Sequence, residues 1–143
     1  MIDTKPLYTE LIRPVRTYDI DSAGIVSNIV YVRWLEDLRS ELFEPIWSLG
    51  KMEETGIVPV VAATNVAYKR SVTLLETVHS AMWVAKAGRS SLTLEAEFKV
   101  ADTTAVEGTQ TCVFVDLKAQ KATPIPDAVR SALGENLEAS ASS

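Results

Sequence analysis

Tyr31-Val32-Arg33-Trp34-Leu35-Glu36-Asp37-Leu38-Arg39-Ser40-Glu41-Leu42-Phe43-Glu44-Pro45-Ile46-Trp47-Ser48-Leu49 decides how the rest of the chain must fold. Tyr31, Leu35, Leu38, Leu42, Ile46 and Leu49 recur every three or four residues, which puts them on one stripe of an α-helix. Arg33, Glu36, Asp37, Arg39 and Glu41 occupy the opposite side, with Arg33 and Asp37 spaced for an i,i+4 ion pair. Ser27 or Asn28 stands where a side-chain oxygen caps such a helix. Pro45 removes a backbone donor and should kink the helix or divide it in two. Gly50 and Gly56 are its expected terminators.

Outward from this helix the period changes to two. Leu11 to Tyr18 reads as a strand, with Pro14 marking an edge or bulge position. From Ile57 onward, Val58, Val60, Ala62, Thr64, Val66 and Tyr68 are expected to share one strand face. A second strand runs through Val78, Ser80, Met82 and Val84, with Trp83 on its other side. Leu92, Leu94, Ala96, Phe98 and Val100 alternate with Thr93, Glu95, Glu97 and Lys99, the pattern of a strand with one wet face. Val106 to Leu117 forms a further strand. Gly88 and residues 101–104 supply turns, so antiparallel meanders are expected. After Pro124 and Pro126 a short helix is expected over Ala128 to Leu137, followed by a frayed tail at 139–143.

A helix of about 20 residues spans ~30 Å and strands of about ten residues span ~33 Å, so one can lie along the other. The expectation is an α+β fold, a curved antiparallel sheet wrapped around one long central helix. Two such units could pair through edge strands and so remove exposed backbone.

The 143 residues suit one domain, 1–143, and a hydrophobic content of 47% supplies a core without staples. No apolar run approaches the roughly 20 residues that cross a bilayer, and no basic stretch followed by an apolar one marks a secretory leader. The single cysteine, Cys112, cannot close an intrachain disulfide. It reads as a small buried hydrophobe, and the chain as cytoplasmic. A net charge of −5 argues against a nucleic-acid surface. No His/Cys cluster suits a metal, no G-x-S-x-G elbow is present, and no glycine-rich loop cradles phosphate.

Tyr18-Asp19-Ile20-Asp21-Ser22-Ala23-Gly24-Ile25-Val26-Ser27-Asn28-Ile29-Val30-Tyr31 resembles the N-terminal motif of the 4-hydroxybenzoyl-CoA thioesterase family, D-x-D-x-x-G-h-v-x-[HN]-x-x-Y. Trp34 to Arg39 is similar to the family's Φ-x-E-x-x-R continuation. Weaker similarities follow in order at 61–70, at Gly88-Arg89-Ser90-Ser91 and at 121–126, so the resemblance covers residues 11 to 133. Asn28 stands where many members carry histidine, and Ser71 where many carry proline. The resemblance implies the hotdog fold, a homodimer or homotetramer with active sites at subunit interfaces, and hydrolysis of an acyl or aroyl thioester of coenzyme A or acyl carrier protein. It implies no cofactor.

By the same motif Asp21 takes the catalytic position, as nucleophile or as general base on water. Backbone N–H groups from Gly24, Ile25 and Val26 at the helix entrance are candidate donors to the thioester carbonyl. Asn28 could offer its amide to that carbonyl or hold a water. Without the motif, Asp19 and Asp21 would read as turn and cap residues, and Asp19 keeps that reading. Tyr31 lies on the apolar stripe, at once core and a substrate contact. Lys69, Arg70 and Arg89, with Ser90 and Ser91, are candidates for the coenzyme A phosphates. Trp34, Trp47 and Trp83 could line an acyl pocket or simply anchor a core. The alternatives are a hotdog hydratase or dehydratase, which would want a histidine beside its carboxylate, and a non-catalytic acyl-binding module. His79, the only histidine, falls mid-strand.

Overall fold

The computed structural model describes residues 7–134. Within them the elements run β1 (Tyr8–Pro14), α1 (Asn28–Phe43), α2 (Leu49–Thr55), β2 (Ile57–Tyr68), β3 (Thr77–Ala87), β4 (Ser91–Val100), β5 (Thr103–Asp116), β6 (Lys121–Ala122) and α3 (Asp127–Leu133). A 3-10 turn at Thr17–Asp19 lies between β1 and α1. The architecture is α+β, an antiparallel sheet of order β1-β3-β4-β5-β2 with β6 on β5. The part of the C-terminal helix and tail expected beyond residue 134 lies outside the described residues. Among those described, no helix is long and apolar enough to cross a membrane.

The helical stretch is shorter than its apolar pattern. α1 stops at Phe43 and α2 begins at Leu49, so Pro45 divides the pattern rather than kinking it. Tyr31, Leu35, Leu38 and Leu42 are buried as expected, joined by Val30, Trp34 and Phe43. Ile46 falls in the turn between the helices, and Leu49 is 73% exposed. Gly56 ends α2 in the left-handed region (φ 74°), where a Cβ would be strained, while Gly50 sits inside α2. Asp37 meets Arg13 of β1 at 3.0 Å rather than Arg33, because β1 passes under this face of α1. The same guanidinium lies 5.5 Å from the centre of the Trp34 ring.

Leu92, Leu94, Ala96, Phe98 and Val100 are all buried, and β3, β4 and β5 form the expected meander. β2 departs from it by crossing the sheet to pair with β5. It also carries a bulge between Val61 and Ala63. One inserted residue reverses the facing of everything beyond it. Thr64, Val66 and Tyr68 therefore oppose the buried Gln110, Gly108 and Val106, whereas Val58 and Val60 oppose Val115 and Val113 of the other face. The single shared face expected from sequence is thus broken at the bulge.

α1 rests on this sheet through its apolar side. Gly108 permits the approach, since a Cβ there would stand 3.3 Å from Leu35 Cδ2. Leu35 and Leu38 lose all exposure, and each such burial contributes about 1.5–3 kcal/mol. Truncation also leaves a cavity, so Leu38→Ala should lower the unfolding free energy by about 2–5 kcal/mol in a denaturant titration. Leu49→Ala should change it by less than about 0.5 kcal/mol, the usual range at an exposed position.

Candidate active site

The loop from Asp19 to Ser27 is fixed almost entirely by its own backbone. Asp19 is buried, its Oδ2 accepts the Arg16 N–H at 2.8 Å and its carbonyl accepts the Ser27 N–H at 2.9 Å. That is the structural role expected of it. Asp21 begins a tight turn: its N–H donates to Ile25 O (2.9 Å) and its carbonyl accepts the Gly24 N–H (3.0 Å). Gly24 closes the turn at φ +81°, a conformation that disfavours any side chain. The carboxylate of Asp21 is exposed, and Oδ1 accepts the Ala23 N–H at 2.8 Å.

On its other side the loop is strapped to the segment between β2 and β3. Val26 donates to Val72 O at 2.8 Å, and Ile25 forms a bridge with Thr73. Of the expected donors, the N–H groups of Gly24 and Val26 thus bond within the protein. Ser27 is the N-cap of α1, yet no side-chain hydrogen bond caps the helix there. Its carbonyl instead accepts the Val30 N–H at 2.9 Å. The N–H groups of Asn28 and Ile29, in the first turn, have no carbonyl one turn earlier within the helix. Asn28 is exposed at that end.

An open cleft of about 510 Å³ lies beside this terminus, lined by Ile25, Val26, Asn28, Tyr31, Tyr68, Lys69, Arg70 and Ser71. It brings together the helix entrance and the end of β2, as the motif order suggested. Lys69 and Arg70 are held there because both backbone N–H groups donate to Ala105 O, at 2.8 and 3.1 Å. Lys69 Nζ lies 3.5 Å from Glu107. Arg70 grips Glu76 with Nη2 to Oε2 at 2.8 Å and Nη1 to Oε1 at 3.4 Å. That guanidinium, with the Thr73 N–H, pulls the Glu76 carboxyl down to about 2. Asp21 stands outside the cleft lining, across the turn from Ile25.

Tyr31 serves as both core and cleft wall. It meets Trp34, Tyr68 and Phe98 edge-on at centroid distances of 5.4, 5.7 and 5.4 Å. Burial, helped by the neighbouring Tyr68, pushes its phenol up to about 12. It is therefore a neutral hydrogen-bonding group at ordinary pH.

Arg89, Ser90 and Ser91 lie elsewhere. Ser91 pairs with Val113 of β5 while Tyr68 pairs with Val106. Seven strand positions separate them, about 24 Å at ~3.4 Å per residue. Within one chain the Arg89 turn does not join Lys69 and Arg70. It packs under α3 instead, where Arg130 donates to Gly88 O at 2.7 Å. His79 is exposed on the opposite face of the sheet, away from the cleft. Cys112 is buried, and burial raises its thiol to about 11. Trp34 is core; Trp83 stacks on Tyr8 at 6.2 Å. Trp47 lines a second groove with Phe43, Leu49, Met52 and Pro59. Sequence reasoning missed Tyr68 and Glu76, which have no motif of their own. Tyr68 was legible only as a strand residue, and Glu76 drew no reading from the sequence.

The profile described as "Thioesterase-like superfamily" matches residues 15–133. Among solved structures, the PA2801 protein of Pseudomonas aeruginosa is 32% identical over 87% of this chain and 97% of that one, with a TM-score of 0.77. A Thermus thermophilus thioesterase complexed with coenzyme A and zinc is 27% identical over 92% and 94%, with a TM-score of 0.75. DHNA-CoA thioesterase from Staphylococcus aureus is 24% identical over 82% and 80%, with a TM-score of 0.74. No curated protein matches the chain.

The Tyr31 environment makes a pH prediction. The folded protein holds the phenolic proton up to about 12, whereas an unfolded tyrosine releases it near 10.0. This contribution to stability is complete below pH 10 and is lost as pH rises toward 12. Ultraviolet titration should show one tyrosine ionising late in the wild type, and that step should be missing from Tyr31→Phe.

Proposed function

We propose that this chain, which belongs to the thioesterase-like superfamily, hydrolyses the thioester of an acyl- or aroyl-coenzyme A to the free carboxylic acid and thiol. The observation that carries the reading is the entrance of α1, without a side-chain cap, opening on a cleft whose rim holds Lys69 and Arg70, with the exposed Asp21 carboxylate in the turn that precedes it. In this reading one domain over residues 1–143 forms the hotdog arrangement, its sheet wrapped around α1.

The thioester carbonyl sits against the first turn of α1, where the N–H groups of Asn28 and Ile29 and the Asn28 amide take over the donor role expected of Gly24 and Val26. Ile25 remains beside them as the wall that meets the acyl group. Negative charge develops on the carbonyl oxygen as the tetrahedral intermediate forms, and donors fixed in advance at a helix N-terminus stabilise it without reorganising. Asp21 acts in one of two ways. As general base, it removes a proton from water while the water oxygen bonds to the carbonyl carbon. As nucleophile, its carboxylate oxygen forms that bond and water later cleaves the mixed anhydride. In both, the C–S bond breaks and the leaving thiolate is protonated. Oδ1 is held by Ala23, so Oδ2 is the oxygen free for this work.

Coenzyme A is favoured as the carrier over acyl carrier protein because Lys69 and Arg70 meet its phosphates at the cleft rim. The hydratase alternative loses its histidine, since His79 lies on the far face. The working enzyme is at least a dimer. One edge of the 12-residue β2 is paired with β5, and its other edge faces outward. Antiparallel pairing of two such edges sets the Tyr68 end of one copy beside the Ile57 end of the other. Pro59 pairs with Phe114, whose N–H donates to Ser90 O at 2.8 Å. The Arg89–Ser91 turn of one copy thereby comes toward the cleft of its neighbour, which gives those residues the phosphate role they lack within one chain.

Steady-state hydrolysis of a panel of acyl- and aroyl-CoA esters tests the reading. Asp21→Asn should lower kcat by about 10²–10⁴-fold, the usual contribution of a general base, with an unchanged melting temperature. Equal rates for the two proteins would overturn the assignment. Native mass should be that of two or more chains, and a fully active monomer would contradict the shared site.

A further inference from the structure

We propose that Glu76 is the positioning residue that fixes the Arg70 guanidinium at the cleft rim. This clamp makes the protein prefer thioesters carrying a phosphorylated nucleotide to the same acyl group on a short thiol. The inference rests on the thioesterase reading above and adds a residue outside its motif.

An arginine at the end of a strand is ordinarily a mobile cation. Here its freedom is removed from both sides. Nη1 donates to Ser71 O at 2.8 Å and to Glu76 Oε1 at 3.4 Å, and Nη2 donates to Glu76 Oε2 at 2.8 Å. Those bonds use three of the five guanidinium N–H groups. Nε–H and the second Nη2–H share the other edge of the plane, a fork whose spacing suits two phosphate oxygens.

Glu76 can impose this geometry because it is itself immobilised. Its Oε1 accepts the Thr73 N–H at 2.9 Å and the Thr73 hydroxyl at 3.2 Å. Its own N–H donates to Thr73 O at 3.2 Å, and its carbonyl accepts the Val15 N–H at 3.0 Å. Lys69 offers the contrast: one contact of 3.5 Å with Glu107 and a half-exposed side chain. Lys69 supplies diffuse charge, and Arg70 supplies direction. Glu76 neutralises the formal charge of Arg70, so the selectivity comes from hydrogen-bond geometry more than from net potential. Thr73, held by Glu76, also bridges Ile25. The clamp at the phosphate end is thus continuous with the strap on the Asp21 loop.

The test compares an acyl-CoA with the N-acetylcysteamine thioester of the same acid, which has no phosphate. In Glu76→Gln the ratio of kcat/KM for the two esters should fall by roughly tenfold, as expected from loosening a charge-assisted contact, and the loss should sit in KM. Glu76→Asp should recover part of the ratio. Arg70→Lys should lower it, and Arg70→Lys with Glu76→Gln together should lower it little further, because both act through one fork. A proportional loss on both esters, or no loss on either, would overturn the proposal and leave Glu76 a structural residue. If the wild type hydrolyses neither ester, the thioesterase reading fails on its own. Calorimetric binding of coenzyme A to wild type and Glu76→Gln then decides the clamp separately: weaker binding by the variant supports it, and equal binding or none rejects it.

Discussion

Burial of one face of α1 against the sheet is the constraint on which everything else depends. Leu35 and Leu38 are wholly enclosed, and Gly108 gives up its side chain so that Leu35 can approach β5. Helix position along this contact determines where its N-terminus stands. The loop before it has little freedom left: Asp19 O takes the Ser27 N–H, Ile25 O takes the Asp21 N–H, and Val72 O takes the Val26 N–H. Packing energy in the core is thereby converted into the fixed placement of a few polar groups at one end of the helix.

What was legible in the sequence was what depends on local spacing. The alternation from Leu92 to Val100 named its buried face correctly because β4 lies mid-sheet and the irregularities beside it fall in its neighbours, at Ala85 of β3 and Ala105 of β5. The helical stripe was equally plain, but its periodicity ran on through Pro45, where the backbone could not. The β2 reading failed at one residue. A bulge at Val61–Ala63 has no compositional mark here, yet it exchanges the faces of half the strand. The crossing of β2 to β5 was invisible for a similar reason, since strand order is settled by which edges meet after collapse.

The site divides along the same line. Asp21, Asn28, Lys69 and Arg70 could be named because a motif or a strand end drew attention to them, and the cleft gathers Asn28, Lys69 and Arg70 on one rim. That the N–H groups of Gly24 and Val26 bond within the protein was beyond sequence, since no residue pattern marks which donors are spent. Arg89 was grouped with Lys69 on sequence order, although β5 holds the two turns at opposite ends. An overall charge of −5 likewise did not show how the cations at the cleft are paired. Acidic partners temper each basic group at the cleft, Glu107 beside Lys69 and Glu76 beside Arg70.

A crystal structure with a non-hydrolysable thioether analogue of an acyl-CoA would test the central claim most directly. The account predicts the analogue's sulfur and carbonyl region against the first turn of α1, within reach of Asn28 and Asp21, and its phosphates at Lys69 and Arg70. The Arg89 turn of a second copy should close over them. Nucleotide bound at the Arg89–Ser91 turn of an isolated chain, with the Asn28 cleft empty, would contradict it.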